Sequence, residues 1–271
     1  MSSRCTGNLR RLVGFVVSIA VISAILSSLI HHYWVGGLPW WRIFRRCVSV
    51  ATVLTLWGFL KLLHRQPWSW IGLGPWSRGK RHVAAGVCLG FAGMGLLAGL
   101  YLFLGLYRIH LHPDLGRIWR TALGFLPAAG LIALLEESVF RGYILQQLQT
   151  CSTSLAVIGS SAAYALVHLR PTSVWPGILF ELGGLFLLGL VLAIATLRTQ
   201  QLYLAMGLHG SLAYCAGVNK LFLEIPDSSL RWLTGTNRLV NGIGAWVLLV
   251  GLGGLVWVWG RRLSGPSSRS A

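Results

Sequence analysis

Two adjacent carboxylates lie in a strongly apolar stretch of a chain that has few charges. Glu136 and Glu137 directly follow the run LIALL, and Arg141 comes four residues after Glu137. The 271-residue sequence holds only six Asp and Glu residues in all. A charge placed in hydrocarbon costs about 2.5–3.5 kcal/mol on insertion scales. An acid that remains in such a stretch is therefore a candidate for function, provided that its surroundings are membrane.

The spacing of these residues suggests different roles for the two acids. Residues four apart share one face of a helix, so Glu137 can pair with Arg141. Glu136 lies about 100° further round the helix and lacks this partner. We therefore predict that Glu137 and Arg141 form a structural ion pair and that Glu136 acts as a general base or acid. The alternative is that the whole motif is an ion-pair knot that only fixes the helix register.

Two histidines lie in apolar segments of the same half of the chain. His168 ends the segment that starts at Tyr164, and His209 lies near the start of a later apolar run. One carboxylate and two imidazoles in one bundle could activate a water molecule and stabilise an oxyanion. Two His and one Glu are also a known zinc ligand set, but the sequence has no HExxH motif. We predict no cofactor, with zinc as a minor alternative.

Composition indicates that the surroundings are a membrane. Apolar residues make up 55% of the chain and charged residues 11%, where soluble domains average about 25% charged. The 13 Trp and 34 Gly fit a polytopic membrane protein, with Trp at the interfaces and Gly at close helix contacts. The net charge of +17 comes from Lys and Arg between apolar runs, which favours membrane lipid as a partner over nucleic acid.

The apolar runs predict an all-α fold, a polytopic transmembrane helix bundle of about eight spans. The predicted spans are residues 12–30, 47–63, 83–107, 121–149, 155–169, 176–197, 202–223 and 239–260. We expect three parts: N-terminal helices in residues 1–120, a core in residues 121–238, and a last helix with a basic tail in residues 239–271. The distribution of Lys and Arg favours cytoplasmic termini only slightly.

Two further patterns concern how the helices are joined. The five cysteines show no CxxC or other ligand spacing, so we expect small buried apolar side chains and no disulfide framework. The glycine pairs Gly86-x-x-x-Gly90 and Gly95-x-x-x-Gly99 permit close helix packing. In a chain so rich in glycine, this second signal is weak.

Taken in order, the three polar motifs resemble those of the CPBP family, the CAAX protease and bacteriocin-processing family of intramembrane proteases. The family pattern is EExxxR, then Phe-x-x-x-His, then a third motif that starts with His. Residues 136–141 match the first motif completely. Tyr164 to His168 matches the second with Tyr in place of Phe, and His209 starts the third. The resemblance covers residues 121–223, and it makes residues 121–238 the expected catalytic core.

The resemblance implies a glutamate-type intramembrane endopeptidase. Glu136 and His168 would activate the attacking water, and His209 would help to hold the oxyanion. The second oxyanion donor of the family falls on Ala213, whose methyl group cannot donate a hydrogen bond. Losing one such donor typically lowers kcat by about 10²–10³. The candidates to replace it are water and three nearby hydroxyl groups, those of Tyr164, Ser211 and Tyr214.

The predicted function is hydrolysis of membrane-tethered peptides or proteins by a multi-pass integral membrane protease. By resemblance, the substrate is a prenylated C-terminus or, in a bacterium, a leader peptide or sorted surface protein. Two alternatives belong to other classes. The first is a catalytically inactive membrane scaffold or regulator, which Ala213 motivates. The second is a proton or ion pathway, against which the scarcity of acids in the other spans argues.

Overall fold

The predicted helical bundle is confirmed by a computed structural model. It describes residues 3–33, 36–37, 39–169, 175, 177–226, 229–236, 238 and 240–263. Its helices are α1 Ser3–Tyr33, α2 Trp40–Gly58, α3 Trp76–Phe103, α4 Leu115–Glu137, α5 Leu145–Gln149, α6 Thr153–Val167, α7 Gly177–Thr199, α8 Tyr203–Val218, α9 Arg231–Thr234 and α10 Ile243–Leu263. Two-residue strands, β1 (Arg108–Ile109) and β2 (Leu223–Glu224), pair antiparallel. The described chain is therefore an all-α bundle with one small ribbon.

Several helical stretches are long and apolar enough to cross a membrane. They are Ser3–Tyr33, Trp40–Leu63, Trp68–Phe103, Leu115–Gln149 and Gly177–Thr199. The other three predicted spans fall on the shorter helices α6, α8 and α10. The protein is a multi-pass integral membrane protein, as the sequence predicted.

Helix α4 begins earlier than its apolar run suggested. We predicted a span that begins at residue 121, but α4 starts at Leu115. The reason is an N-cap: the carboxylate of Asp114 accepts a hydrogen bond of 2.9 Å from the backbone N–H of Arg117. The first turns of a helix do not need apolar side chains, so hydropathy alone placed the start of α4 too late.

Close packing of α3 on α8 uses one of the two predicted glycine pairs. A Cβ atom on Gly86 would collide with the backbone of Leu204 and Leu208 in α8. In the other direction, a Cβ atom on Gly207 would collide with the backbone of Val83. By contrast, a Cβ atom on Gly95 would meet nothing within 4 Å. The glycines of α3 and α8 thus fix the position of the helix that carries His209.

The site helix changes its winding directly after the two glutamates. Residues Ser138–Ile144 form π-helical turns between α4 and α5, and all seven are buried. Such turns are rare and are frequent at functional sites. The loop before α3 packs against them, because a Cβ atom on Gly142 would come within 3.0 Å of the Ile71 side chain. This loop therefore folds back onto the bundle.

A disulfide joins Cys5 at the start of α1 to Cys151 after α5. Their Cα atoms lie 4.9 Å apart, although 146 residues separate them in sequence. The expectation of no disulfide was therefore wrong. Spacing rules detect ligand motifs between nearby cysteines, and they contain no information on two cysteines that only the tertiary fold brings together. Cys47, Cys88 and Cys215 are free.

Candidate active site

Side chains from three helices converge on the carboxylate of Glu136. Glu136 lies near the end of α4, His168 caps the C-terminus of α6, and His209 lies within α8. Glu136 Oε2 is 3.3 Å from His168 Nε2 and 3.7 Å from His209 Nε2. The Glu136 and His168 side chains are 26% and 31% exposed, whereas that of His209 is 5% exposed. The three sequence-predicted residues therefore meet in a partly open site.

Glu137 connects this site to the predicted ion pair. Its Oε1 atom lies 3.0 Å from Arg141 Nη1 and 2.7 Å from His209 Nδ1. Arg141 Nη2 also donates a hydrogen bond of 3.2 Å to the carbonyl of Gly189 in α7. The Glu137 and Arg141 side chains are both fully buried. Charges so deeply buried persist in proteins when they are paired and hydrogen-bonded, as these are.

The contact between Glu137 and His209 determines which ring nitrogen faces Glu136. An ionised carboxylate can only accept, so His209 donates from Nδ1. Its Nε2 atom is thereby directed to Glu136. Sequence reasoning gave Glu137 a structural role alone and missed this orienting contact. No sequence pattern indicated this contact, because the two residues lie 72 positions apart.

The ring of His168 is oriented in a similar way by its own helix. Its Nδ1 atom donates to the backbone carbonyl of Tyr164 at 2.8 Å. A carbonyl only accepts, so Nδ1 carries a hydrogen and Nε2 is the atom presented to Glu136. The Tyr164 carbonyl belongs to the last turn of α6, where carbonyls lack helical partners. A histidine placed four residues later can use this carbonyl to fix its ring.

Of the three hydroxyl candidates, the structure brings Tyr164 to the site. Its hydroxyl lies 3.4 Å from His209 Nε2, and its ring is 2% exposed. The ring centroid lies 4.5 Å from that of His168 and 4.5 Å from the Arg141 guanidinium carbon. Tyr164 therefore touches both histidines and the buried cation.

Ser211 and Tyr214 point to other parts of the bundle, which corrects the wider set of candidates. The hydroxyl of Ser211 donates to backbone carbonyls of its own helix, and it packs against Gly90 of α3. The ring of Tyr214 contacts Phe91 and Phe125, with centroids 6.0 and 6.4 Å away. Both residues follow His209 by less than two turns, but they leave the helix on different faces.

Glu136 keeps unused capacity as an acceptor. Its Oε2 atom is shielded from solvent and receives no hydrogen bond of good geometry from the described residues. Both Nε2 atoms nevertheless lie within 3.7 Å of it. Buried polar atoms normally have a hydrogen-bond partner, so this oxygen is suited to accept from a bound molecule. No group of three or more His, Cys, Asp or Glu in the described part of the chain has an arrangement that could hold a metal ion.

A comparison with protein families matches the part of the chain that carries the site. Residues 118–215 match the family model described as Type II CAAX prenyl endopeptidase Rce1-like. This region is similar to the Rce1-like family. The Rce1-like region includes Glu136, Glu137, His168 and His209, and it lies wholly outside α1–α3 and α10. No curated protein and no solved structure gives a significant match. The predicted resemblance to CAAX proteases is confirmed, and it supports a membrane protease.

Proposed function

We propose that the protein is an intramembrane endopeptidase that hydrolyses membrane-tethered proteins or peptides with a water activated by Glu136 and His168. The single observation that carries this proposal is the convergence of one carboxylate oxygen and two imidazole Nε2 atoms within 3.7 Å. The Rce1-like match supports the same reaction class. The reaction needs no cofactor, because the side chains present supply a base, an acid and oxyanion donors.

The first step is attack by water on the scissile carbonyl. The water donates one hydrogen to Glu136 Oε2 and the other to His168 Nε2, the atoms presented to it. Its oxygen then bonds to the carbonyl carbon while Glu136 takes a proton. In the second step, the tetrahedral intermediate collapses, the C–N bond breaks, and Glu136 returns the proton to the leaving amine. General acid–base help of this kind is worth about 10²–10⁴ in rate.

The oxyanion of the intermediate is stabilised by His209 and Tyr164. His209 donates from Nε2 when that nitrogen carries a hydrogen, while Glu137 accepts from Nδ1. Tyr164 donates its phenolic O–H, which lies 3.4 Å from that Nε2. One oxygen placed between the two atoms is within hydrogen-bond distance of both. Tyr164 thereby supplies the donor that Ala213 lacks.

The proposed substrate reaches the site from the side on which α6 ends. Glu136 and His168 are the more exposed members, while His209 and Glu137 are buried behind them. A site inside the bundle selects a substrate already held at the membrane. By its family, a lipid-modified C-terminal segment is the proposed substrate class. We also propose residues 121–238 as the catalytic core, flanked by variable helices in residues 1–120 and 239–271.

The proposal is tested with purified protein in proteoliposomes and quenched fluorescent peptides, with and without a C-terminal prenyl group. Glu136→Gln removes the base and keeps the side-chain shape, so the cleavage rate is expected to fall by about 10²–10⁴. Glu224→Gln is the matched control, because Glu224 is exposed in strand β2. Equal cleavage by the wild-type protein and Glu136→Gln would reject the mechanism.

Ala213 still favours a second candidate, a membrane scaffold without catalysis. The two functions differ in whether a cellular phenotype requires the Glu136 carboxylate. A scaffold tolerates Glu136→Gln, since this change preserves size and removes only a charge. Loss of the phenotype in cells that express folded Glu136→Gln at normal level would exclude the scaffold.

A further inference from the structure

A groove opens between α1 and α2, at the end of the bundle where α1 ends and α2 begins. Its volume is about 320 Å³. It is lined by Leu26, Ile30, Arg42, Ile43, Arg46, Cys47 and Val50. None of the residues assigned to the active site belongs to α1 or α2. The α1–α2 groove is therefore separate from the Glu136 site.

The lining of the groove changes from polar to apolar along its length. Arg42 and Arg46 lie on successive turns of one face of α2, just after its first residues. Leu26 lies seven residues before the end of α1, which places it about 10 Å deeper along the helix. Exposed Trp40 and Trp41 begin α2, and tryptophan of this kind marks the boundary between membrane and water. The groove thus runs from the interface into the hydrocarbon.

Within the part of the chain that the structure describes, the two arginines have no counter-charge. The sequence carries no Asp or Glu before Asp114, so neither α1 nor α2 can supply a carboxylate. In the described residues, the Arg42 and Arg46 side chains make no ion pair or hydrogen bond, and both are exposed. Guanidinium groups bind phosphate oxygens through two parallel hydrogen bonds. Two such groups at a membrane boundary are therefore complementary to an anionic headgroup.

We propose that the α1–α2 groove binds one anionic phospholipid, with its phosphate at Arg42 and Arg46. One acyl chain lies along the apolar lining that Leu26, Ile30 and Val50 provide. The contacts of the two arginines with the headgroup and the apolar contacts with the acyl chain then follow the order of these two parts in a lipid. The site does not depend on the proposed protease activity.

The test measures lipid binding to delipidated protein in detergent, with fluorescent phosphatidylglycerol and phosphatidylcholine as probes. The wild-type protein is expected to bind phosphatidylglycerol at least about tenfold more tightly, since basic residues near the headgroup favour anionic lipid. Arg42→Gln/Arg46→Gln is expected to reduce this preference to within about twofold. Arg78→Gln/Arg81→Gln is the matched control, because it removes two exposed arginines at the start of α3 and should keep the preference.

Two further arms separate a lipid from a free phosphate and from general charge. Val50→Trp narrows the apolar part at an exposed position, so it should weaken binding of both lipids while leaving the fold intact. Soluble glycerol phosphate should not compete at concentrations at which the lipid saturates. Equal binding of the two lipids by wild-type protein would overturn the proposal. A preference for phosphatidylglycerol that is retained in Arg42→Gln/Arg46→Gln, or lost equally in the control, would also overturn it. Unchanged lipid binding in Val50→Trp or full competition from glycerol phosphate would do the same.

Discussion

The carboxylate of Glu137 lies 2.7 Å from Nδ1 of His209, and the same oxygen lies 3.0 Å from the Arg141 guanidinium. One buried acid thus joins a helix-internal ion pair to a catalytic candidate on another helix. Because all three side chains are almost fully buried, each depends on the others for its charge balance and orientation. Mutations of these three residues can therefore measure their contributions to stability and to catalysis separately.

Glu137→Gln leaves the Arg141 charge buried without its counter-ion. Breaking a buried pair from one side typically costs about 3–5 kcal/mol, so the melting temperature in detergent should fall markedly. Glu137→Gln/Arg141→Met removes both charges and should recover most of this loss. Peptide cleavage should stay low in the double variant, because His209 lacks its orienting carboxylate. Recovery of activity together with stability would show that Glu137 has no positioning role.

Tyr164→Phe deletes only the hydroxyl that lies beside His209 Nε2. If this hydroxyl is an oxyanion donor, kcat should fall by about 10²–10³ while KM changes little. The aromatic contacts with His168 and Arg141 remain, so the melting temperature should stay close to that of the wild-type protein. Ala213→Asn, which offers an amide donor, should restore part of the activity of Tyr164→Phe. An unchanged kcat in Tyr164→Phe would remove this residue from the mechanism.

Gly86→Leu should disrupt the packing of α3 on α8. A side chain at this position meets the α8 backbone, and overpacking of this kind typically costs about 1–3 kcal/mol or more. Gly95→Leu, on the same helix, points into open space and serves as the control. The comparison is made by thermal unfolding in one detergent. Equal melting temperatures for the two variants would contradict the close contact between α3 and α8.

The Cys5–Cys151 bond should be detectable in the intact protein. Proteolysis without reductant, followed by mass spectrometry, should yield a linked peptide pair that disappears in Cys5→Ser. Removing a disulfide that closes a long loop typically costs about 2–4 kcal/mol, so Cys5→Ser should unfold at lower temperature. Cys88→Ser is the control, because Cys88 is a free and exposed thiol. Two free thiols at positions 5 and 151 in membranes of the native host would refute the bond.

Sequence reasoning was most successful where the physics is local. Hydropathy located the spans, since a helix in lipid must satisfy its own backbone and cover itself with apolar side chains. The ion pair of Glu137 with Arg141 followed from helical spacing alone. The convergence of Glu136, His168 and His209 needed the ordered family motifs as well, because no local pattern relates α4, α6 and α8.

What sequence reasoning missed depends on tertiary packing. The contact of Glu137 with His209 depends on the rotational orientation of α8 about its axis. The glycine contacts with α3 determine this orientation. In the same orientation of α8, Ser211 faces α3 and not Glu136. The π-helical turns at Ser138–Ile144 likewise carry no signal in residue spacing.

The covalent link from the start of α1 to the end of α5 has a consequence for sidedness. Cystines persist in the periplasm, the secretory lumen and the extracellular space, and they are reduced in the cytosol. A bond that forms in the cell therefore orients Cys5 and Cys151 away from the cytosol, against the weak preference expected from counting basic residues. Since α1 crosses the bilayer once, Arg42 and Arg46 would then face the inner leaflet, whose surface potential is negative.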